Sequence, residues 1–181
     1  AALAGGGEVW VADETALREF PPLRAAWAKR GAQAVVAISG RNARRTVFGA
    51  LRPATGELLA LDRGRARTAD AVALVEALGA VRPGVPKLLA WDNAPPHHPK
   101  AVAAAAAAAG VELAFLPFRA PELMPLEELW RQLKAEVAAN RCYATVEELA
   151  GRAAAWLDGM DGEERRRRCG LDSSKFDWLP T

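Results

Sequence analysis

The sequence predicts an α/β fold in which a mixed β-sheet carries helices on its faces. Short apolar runs of strand length alternate with longer segments of helical periodicity in the second half of the chain. In the first half, the turn signal Pro53-Ala54-Thr55-Gly56 separates two apolar runs and predicts an antiparallel hairpin. Two further apolar runs end in carboxylates, Asp13 and Asp92, which is typical of buried strands that lead to a site at a sheet edge.

The first half of the chain is predicted to be mostly extended. A glycine-rich, flexible lead-in over residues 1–7 precedes a strand at about 8–13. After a Pro-Pro turn, further apolar segments follow at about 33–39, 45–52 and 57–62, and the last two form the expected hairpin.

The second half is predicted to alternate helices with strands. Thr68 is the expected N-cap of a helix, with Asp70 favourably placed in the first turn. Thr145 is expected to cap a later helix, with Glu148 at the capping-box position. The predicted helices cover about 68–78, 99–109, 125–140 and 145–158, and the predicted strands cover about 87–92 and 111–116.

Length and composition fit one globular domain. The chain has 181 residues, of which 51% are hydrophobic, which is enough to bury a substantial core. The net charge of +2 is too small to indicate a nucleic-acid partner by itself. The only two cysteines, Cys142 and Cys169, predict neither a zinc site nor a disulfide framework. No membrane-spanning run or signal peptide is evident, so we expect a cytoplasmic protein without a membrane partner.

Three acidic residues form the candidate site. If the strands ending at Asp13 and Asp92 pair in parallel, their carboxylates meet beyond the carboxyl ends of the strands. Glu127 lies at the edge of an apolar helical stripe, whereas Glu128 lies nearly opposite that stripe, so Glu127 is the better third candidate. Three such carboxylates can hold two hard divalent cations, a pair that drives in-line displacement at phosphodiesters.

Several residues near these acids have more than one interpretation. His97 and His98 are either exposed loop residues or participants in metal binding or proton transfer. Asn93 either orients Asp92, contacts a phosphate, or only makes the turn. Lys134 projects from the same side of its helix as Glu127, where it either contacts DNA or balances the acids.

Basic and aromatic residues outside the acids are also ambiguous. An arginine cluster at the hairpin ends is either a solvated surface or a set of contacts to DNA phosphates. It comprises Arg41, Arg44, Arg45, Arg63, Arg65 and Arg67. The arginine run 165–168 indicates a solvated or disordered tail. Trp27, Trp130 and Trp156 are expected to pack in the core rather than stack on bases.

Four motifs carry a family resemblance that covers about Glu8 to Met160. They are Val-Ala-Asp-Glu at 11–14; Trp27-Ala28-Lys29-Arg30-Gly31; Trp91-Asp92-Asn93-Ala94-Pro95-Pro96-His97; and Pro121 to Trp130, followed by Leu133-Lys134, Asn140-Arg141-Cys142-Tyr143 and Glu147-Glu148-Leu149. Together they resemble the catalytic core of bacterial insertion-sequence DDE transposases of the mariner superfamily. The 34 residues between Asp92 and Glu127 agree with the spacing of that family's second and third acids. The family usually has Asn at the position of Met124.

The resemblance implies an RNase H-like fold, with a mixed sheet of five strands or slightly more flanked by helices. It implies DNA cleavage and strand joining with two Mg²⁺ or Mn²⁺ ions, held by Asp13, Asp92 and Glu127. The family motif has His at the position of His97, which implies a role near the site. The implied partners are DNA, as element ends and target, and a second copy in a homodimeric active complex at the bacterial nucleoid.

The resemblance also implies a division of the chain and leaves rival functions open. The catalytic core is expected at 8–160, between the lead-in 1–7 and a basic tail at 161–181. The helix-turn-helix region that reads element ends in such transposases has no match in this sequence. One rival is a nuclease on the same fold, such as a ribonuclease H or a junction resolvase. The other is an inactive, domesticated DNA-binding relic of a transposase.

Overall fold

The computed structural model describes residues 6–118, 120–176 and 179. Most of the expected flexible lead-in 1–7 therefore lies outside the described residues. The same is true of residues 177, 178, 180 and 181 of the expected tail.

A mixed five-stranded sheet forms the centre of the fold, as the sequence predicts. Its order is β3-β2-β1-β4-β5, with β1 antiparallel to β2 and parallel to β4. The strands are β1 Glu8–Arg18, β2 Arg44–Arg52, β3 Glu57–Arg63, β4 Lys87–Trp91 and β5 Val111–Phe115. The hairpin of β2 and β3 continues the antiparallel half of the sheet, while β5 continues the parallel half.

Helices cover both faces of this sheet. They are α1 Thr68–Ala80, α2 Lys100–Ala108, α3 Pro125–Leu133, α4 Val146–Asp158 and α5 Gly162–Arg168. Thr145 caps α4 as predicted, because its side chain accepts from the Glu148 N–H. Arg67, not Thr68, is the N-cap of α1, and its N–H donates to the Asp70 carboxylate at 3.2 Å. In the ranges 6–118 and 120–176, no helix is long and apolar enough to cross a membrane.

The side chains of β1 alternate between two separate cores. Trp10 and Ala12 are buried in the core beneath α1 and α2. Val11 and Leu17 are buried in the other core, with side chains from α3 and α4. Because successive side chains of a strand point to opposite faces, Asp13 lies on the α3 side of the sheet.

The chain between β1 and β2 differs most from its prediction. Residues 33–39 form no strand, because no described strand pairs with them. The prediction that Trp27 packs in the core is wrong, since its side chain is fully exposed. We call residues 20–42 the open segment. Instead of a new strand, β1 itself is longer than predicted and runs five residues past Asp13, paired with β2.

Asn140 ties the open segment to the rest of the fold. The helix α3 continues as a π-helix over Lys134–Ala138, and Asn140 follows with a positive φ of 56°. The Asn140 side chain exchanges two hydrogen bonds with the backbone of Arg24, both at 2.9 Å. Asn tolerates this backbone region better than most residues, so one side chain both ends the helix and fixes the loop.

The interpretation of the arginine run as a solvated or disordered tail is wrong for Gly162–Arg168, which forms α5. Arg165 donates to the Gly56 carbonyl and Arg166 to the Pro53 carbonyl, so α5 is docked on the turn between β2 and β3. Cys169 and Phe176 beyond it are buried in the core on the α3 side. The expected domain boundary at 160 remains a prediction, but the described chain continues to pack on the core beyond it.

Candidate active site

Strand register brings the first two acids together. Ala12 pairs with Trp91 across the parallel strands β1 and β4, so Asp13 and Asp92 are the next residues at the same sheet end. The helix α3 packs on β1 from the same face and carries Glu127 in its first turn. All three acids line one cavity of about 290 Å³. The structure thus brings together the three acids that the sequence singled out.

Asp13 is a buried carboxyl in an unfavourable environment. Its residue is 8% exposed, and its Oδ2 atom has no hydrogen-bond partner in the described chain. Burial, followed by the charges of Glu127 and Glu14, raises the pKa of Asp13 to about 8. An ionised Asp13 therefore needs a cation beside it, and without one it holds a proton near neutral pH.

Asp92 has the opposite environment. Its side chain is 48% exposed, and Oδ1 lies 2.7 Å from Nδ1 of His97. The Ala94 N–H donates to the same oxygen at 3.1 Å. The hydrogen bond from His97 is the main reason that the pKa of Asp92 lies below its usual value, so this carboxylate is ionised at neutral pH.

His97 is buried between two carboxylates. Its side chain has no solvent exposure, and its Nε2 lies 3.3 Å from Oε2 of Glu14. Its ring stacks on Trp91, with centroids 3.9 Å apart. Burial alone would lower the pKa of His97, but Asp92 and Glu14 together raise it to about 9. The imidazole is therefore mainly charged at neutral pH.

The acids fit a divalent cation chemically, although their side chains are not yet arranged around one. Carboxylate oxygens are the ligands that Mg²⁺ and Mn²⁺ prefer, and among the described residues no hydrogen bond to Oδ2 of Asp13 competes with such an ion. Among the described residues, however, no three His, Cys, Asp or Glu side chains converge into a metal-binding group. The expectation that the carboxylates lie close enough to share a metal is therefore not met in this arrangement. The hydrogen bond from His97 holds the Asp92 carboxylate in its present orientation.

Comparison with known proteins identifies the family. The family model described as "DDE superfamily endonuclease" matches residues 8–150. The chain belongs to the DDE superfamily endonucleases. A search of curated proteins found no match.

Solved structures of Mos1 transposase have a similar fold. Its paired-end complex with the left transposon end matches 92% of this DDE endonuclease with a TM-score of 0.68 and 17% identity. Its paired-end complex with Mg matches 93% of this chain with a TM-score of 0.69 and 16% identity. The isolated catalytic domain of Mos1 mariner transposase gives 0.60 and 15%, covering 92% of this chain and 78% of that one. These likenesses confirm the expected RNase H-like fold.

This DDE endonuclease spans about half the length of the first Mos1 chains that it matches. The coverage is 52% of the chain in the complex with the left transposon end and 53% of the chain in the complex with Mg. Activities and partners of the longer protein are therefore matters for proposal.

The two neighbouring glutamates of α3 have different surroundings. Glu127 is exposed and lines the acidic cavity. Glu128 accepts from Arg131, with Nε at 2.8 Å, and from Gln132 at 2.9 Å. The hydrogen bond from Arg131 is the main reason that the pKa of Glu128 falls to about 2. Glu128 is thus engaged in its own contacts rather than simply solvated, and Glu127 is the acid at the cavity.

Met124 supports Glu127 without the side-chain cap that the family's usual Asn could supply. It is the N-cap residue of α3 and is only 4% exposed, packed in the core. Its carbonyl accepts from the Glu127 N–H at 3.2 Å. Apolar packing here takes the place of a capping hydrogen bond in fixing the start of the helix.

The remaining candidates near the site separate into two groups. Asn93 lines the cavity and donates its amide to the Leu116 carbonyl, which ties the loop after β4 to the end of β5. His98 is exposed, with its ring 4.3 Å from that of Phe115. Lys134 lies outside the acidic cavity and lines a separate groove beside the end of β1. A role for Lys134 at the scissile phosphate stays a prediction.

The arginine cluster lies at the same end of the sheet as the acids. Asp13 pairs with Gly49 of β2, and the arginines at the start of β2 and the end of β3 lie beyond that pair. Arg41 bonds Glu19 at 2.6 Å, and Arg45 pairs with Asp62 at 2.9 Å. Arg44, Arg65 and Arg67 are exposed, whereas Arg63 lies 4.0 Å from Asp70. The cluster is therefore partly committed to intramolecular ion pairs.

Two contributors to the site were missed in the sequence. Glu14 is part of the first motif. It follows Asp13 directly in β1, and this alternation of side chains is the only sign in the sequence that Glu14 points to the other face of the sheet. Gly49 lets the Trp130 ring lie directly over β2, because an added Cβ would lie 2.7 Å from that ring. No local sequence pattern indicates that contact, since the two residues are distant in the chain.

Proposed function

We propose that this chain is the catalytic core of a DDE transposase that cuts and joins DNA at phosphodiesters. The observation that carries the proposal is the meeting of Asp13, Asp92 and Glu127 in one cavity of a DDE-family fold. Two bound Mg²⁺ or Mn²⁺ ions would activate water or a 3′-hydroxyl and stabilise the leaving oxygen. The motif resemblance described above favours a bacterial insertion sequence as the source, and hence a place at the nucleoid.

The three carboxylates would hold the ions from rigid elements. Asp13 is supplied by the central strand of the sheet and would exchange its proton for a cation. Asp92 is already ionised and fixed by His97. Glu127 is carried by α3, whose Leu126 and Trp130 side chains are anchored in the core. Rigid placement of ligands favours precise metal geometry.

The mechanism requires no covalent protein–DNA intermediate. Tyr143 is the only tyrosine in the sequence, and its hydroxyl donates to the Val137 carbonyl at 2.6 Å. That hydroxyl is thus engaged in holding the chain after the π-helix. A tyrosine recombinase is accordingly not a competitive alternative.

DNA would approach along the end of the sheet that carries both the acids and the arginines. The exposed Arg44, Arg65 and Arg67 are the best placed to contact phosphates, and such contacts are independent of base sequence. The Mos1 structures of similar fold include a paired-end complex with a transposon end and a strand-transfer complex, which supports transposon ends and target DNA as the partners.

A homodimer in the active complex is part of the proposal. The open segment exposes Leu23 by 65%, Trp27 by 104% and Val35 by 85%. Exposed apolar side chains clustered in one segment are typical of protein interaction surfaces. A second copy of the chain would cover them.

The test is nicking of supercoiled plasmid in Mn²⁺. Wild-type protein should nick, whereas Asp13→Asn, Asp92→Asn and Glu127→Gln should each reduce nicking to the level without metal. Glu128→Gln is the matched control and should keep activity, because Glu128 bonds Arg131 instead of lining the cavity. Equal loss in Glu128→Gln and Glu127→Gln would contradict the assignment.

Joining of added DNA ends to the plasmid separates the transposase from its rivals. A transposase core should transfer a 3′-hydroxyl end into the plasmid, with both activities lost in the same variants. Nicking without joining would favour the nuclease. Metal binding without either activity would favour the inactive relic.

A further inference from the structure

A second polar pair lies on the opposite face of the sheet from the acidic cavity. Glu14 follows Asp13 in β1, so its side chain points to the face covered by α1 and α2. There its Oε2 lies 3.3 Å from Nε2 of His97. The other ring nitrogen of His97 lies 2.7 Å from Oδ1 of Asp92. The chain of contacts Glu14–His97–Asp92 thus connects the two faces around the end of the sheet.

Burial makes this connection hard to break. The His97 side chain is fully buried, and that of Glu14 is only 18% exposed. Oε2 of Glu14 and Nε2 of His97 are both buried and have no aligned hydrogen bond in the described chain, so their ion pair is the contact that compensates each of them. Removing one member leaves the buried polar atom of the other without its partner, which is costly.

Two further contacts fix the ring of His97. It stacks on Trp91, the residue directly before Asp92, with an interplanar angle of 22°. It also ends the short 3₁₀ turn Pro95–His97, whose prolines restrict the backbone. The ring therefore has one orientation in which both nitrogens face a carboxylate.

We propose that Glu14 is a positioning residue for the metal site, and that it acts on Asp92 through His97. The inference rests on the proposed function of Asp92 as a metal ligand. His97 and the Ala94 N–H both engage Oδ1 of Asp92, so one orientation of the carboxylate is selected. Glu14 holds the ring against Asp92, so that the Asp92 carboxylate keeps this orientation. Outer partners of this kind orient ligands in known metal sites.

Mn²⁺ affinity in a double-mutant cycle tests this inference. Affinity is measured by electron paramagnetic resonance titration of the full chain, in wild type, Glu14→Gln, His97→Asn and the double variant. The amide nitrogen of Asn can replace Nδ1 as a donor to Asp92 but cannot reach Glu14. We expect Glu14→Gln to weaken Mn²⁺ binding by about tenfold in the wild-type background. In the His97→Asn background the same change should have less than about a twofold effect, because the intermediary is absent.

A charge-conserving variant separates positioning from simple electrostatics. Glu14→Asp keeps the negative charge but shortens the side chain, so it should also weaken Mn²⁺ binding. It serves as the second variant if Glu14→Gln folds poorly, which is checked by thermal melting without metal. Glu57→Gln is the matched control, since Glu57 pairs with Arg82 at the other end of the sheet. It should leave Mn²⁺ affinity unchanged.

The outcomes distinguish this inference from the metal site itself. Unchanged affinity in Glu14→Gln, or equal weakening in both His97 backgrounds, would overturn the inference while leaving the metal site intact. Full affinity in Asp92→Asn would instead remove Asp92 as a ligand, and the proposed function would fail together with the inference.

Discussion

At the scale of single residues, the three acids of the cavity differ in what surrounds them rather than in what they are. Asp13 is buried, and one of its oxygens has no hydrogen-bond partner among the described residues, whereas Asp92 is half-exposed and held by His97. Their pKa values are shifted in opposite directions, upward for Asp13 and downward for Asp92. A site that keeps one acid protonated and another ionised stores unfavourable free energy that a cation can relieve.

Asp13→Asn should therefore stabilise the metal-free protein, and more so at alkaline pH. The pKa of Asp13 is about 8 in the folded protein against 3.8 as its ordinary value. Between those values the unfolded chain loses a proton that the folded chain keeps, so the free energy of unfolding falls as pH rises. The slope from this group is at most about 1.4 kcal/mol per pH unit.

The measurement is urea unfolding at several pH values in a chelator. The free energy of unfolding of the variant should exceed that of wild type by an amount that is near zero in acid and grows toward pH 8. A wild-type protein whose stability does not depend on Asp13 in this window would refute the raised pKa.

Mn²⁺ should offset the loss of stability that the buried Asp13 carboxyl causes. Millimolar Mn²⁺ is expected to raise the melting temperature of wild type, because it binds the folded state only. Without DNA the binding should be weak, since Mg²⁺-type ions rely on substrate phosphate for part of their coordination. Asp92→Asn should remove the rise. A rise of equal size in that variant would place the metal elsewhere.

The sequence could predict the acids but not their environments. Asp13, Asp92 and Glu127 follow from strand ends, helical periodicity and motif spacing. The burial of His97 between Glu14 and Asp92 depends on the stacking on Trp91 and the turn before it. Those contacts exist only after β4 and the loop have packed, so only the family motif, and not the local residue pattern itself, pointed to His97 rather than to the exposed His98.

At the scale of elements, the placement of Glu127 depends on how closely α3 approaches the sheet. Gly49 of β2 pairs with Asp13, and the ring of Trp130 lies directly above it. An added Cβ at Gly49 would lie 2.7 Å from the Trp130 ring. A rigid, buried ring cannot yield at low cost, so the helix would have to move.

Gly49→Ala should destabilise the fold by about 1–3 kcal/mol and weaken Mn²⁺ binding as Glu127 is displaced. Gly151→Ala in α4 is the matched control, because no described atom beyond the neighbouring residues and backbone of its own helix lies within 4 Å of the added methyl group. That change should stabilise the protein by about 0.5–1 kcal/mol through helix propensity. Equal effects of the two substitutions in chemical denaturation would contradict the proposed packing role of Gly49.

The bounds of elements with strong local signals were predicted within two residues, whereas the bounds of elements that depend on a neighbouring strand were not. The Pro53–Gly56 turn and the Thr145 cap determine their elements locally. The length of β1 is set by pairing with β2, and residues 33–39 form no strand despite their apolar character. Whether an apolar run becomes a strand depends on a neighbouring strand, which the run itself does not specify.

At the scale of the whole molecule, two cores on the two sheet faces support one site at the sheet end. The core on the α3 side includes Cys169 and Phe176, which follow α5. Close contact between Gly56 and Gly162 joins α5 to the hairpin turn, since an added Cβ at Gly56 would lie 1.9 Å from the Gly162 carbonyl oxygen. A polar, arginine-rich sequence could not reveal this docking, because its partners are backbone carbonyls of a distant turn.

Phe176→Ala should therefore cost about 3–5 kcal/mol of unfolding free energy, as for a large side chain in a core. Phe118→Ala is the matched control, because that ring is 79% exposed whereas Phe176 is 4% exposed. The control should change stability by less than about 0.5 kcal/mol. Equal, small effects would mean that the residues after 160 are a separate tail.

The most direct test of the central claim is anomalous diffraction from crystals soaked in Mn²⁺. Mn²⁺ is expected within coordination distance of Asp13, Asp92 and Glu127, with the Asp13 Oδ2 atom among its ligands. Small movements of the three side chains toward the ion are expected, because among the described residues they do not converge into a metal-binding group without it. Mn²⁺ bound elsewhere, with the cavity of the three acids empty at saturating metal, would show that these acids do not form the metal site.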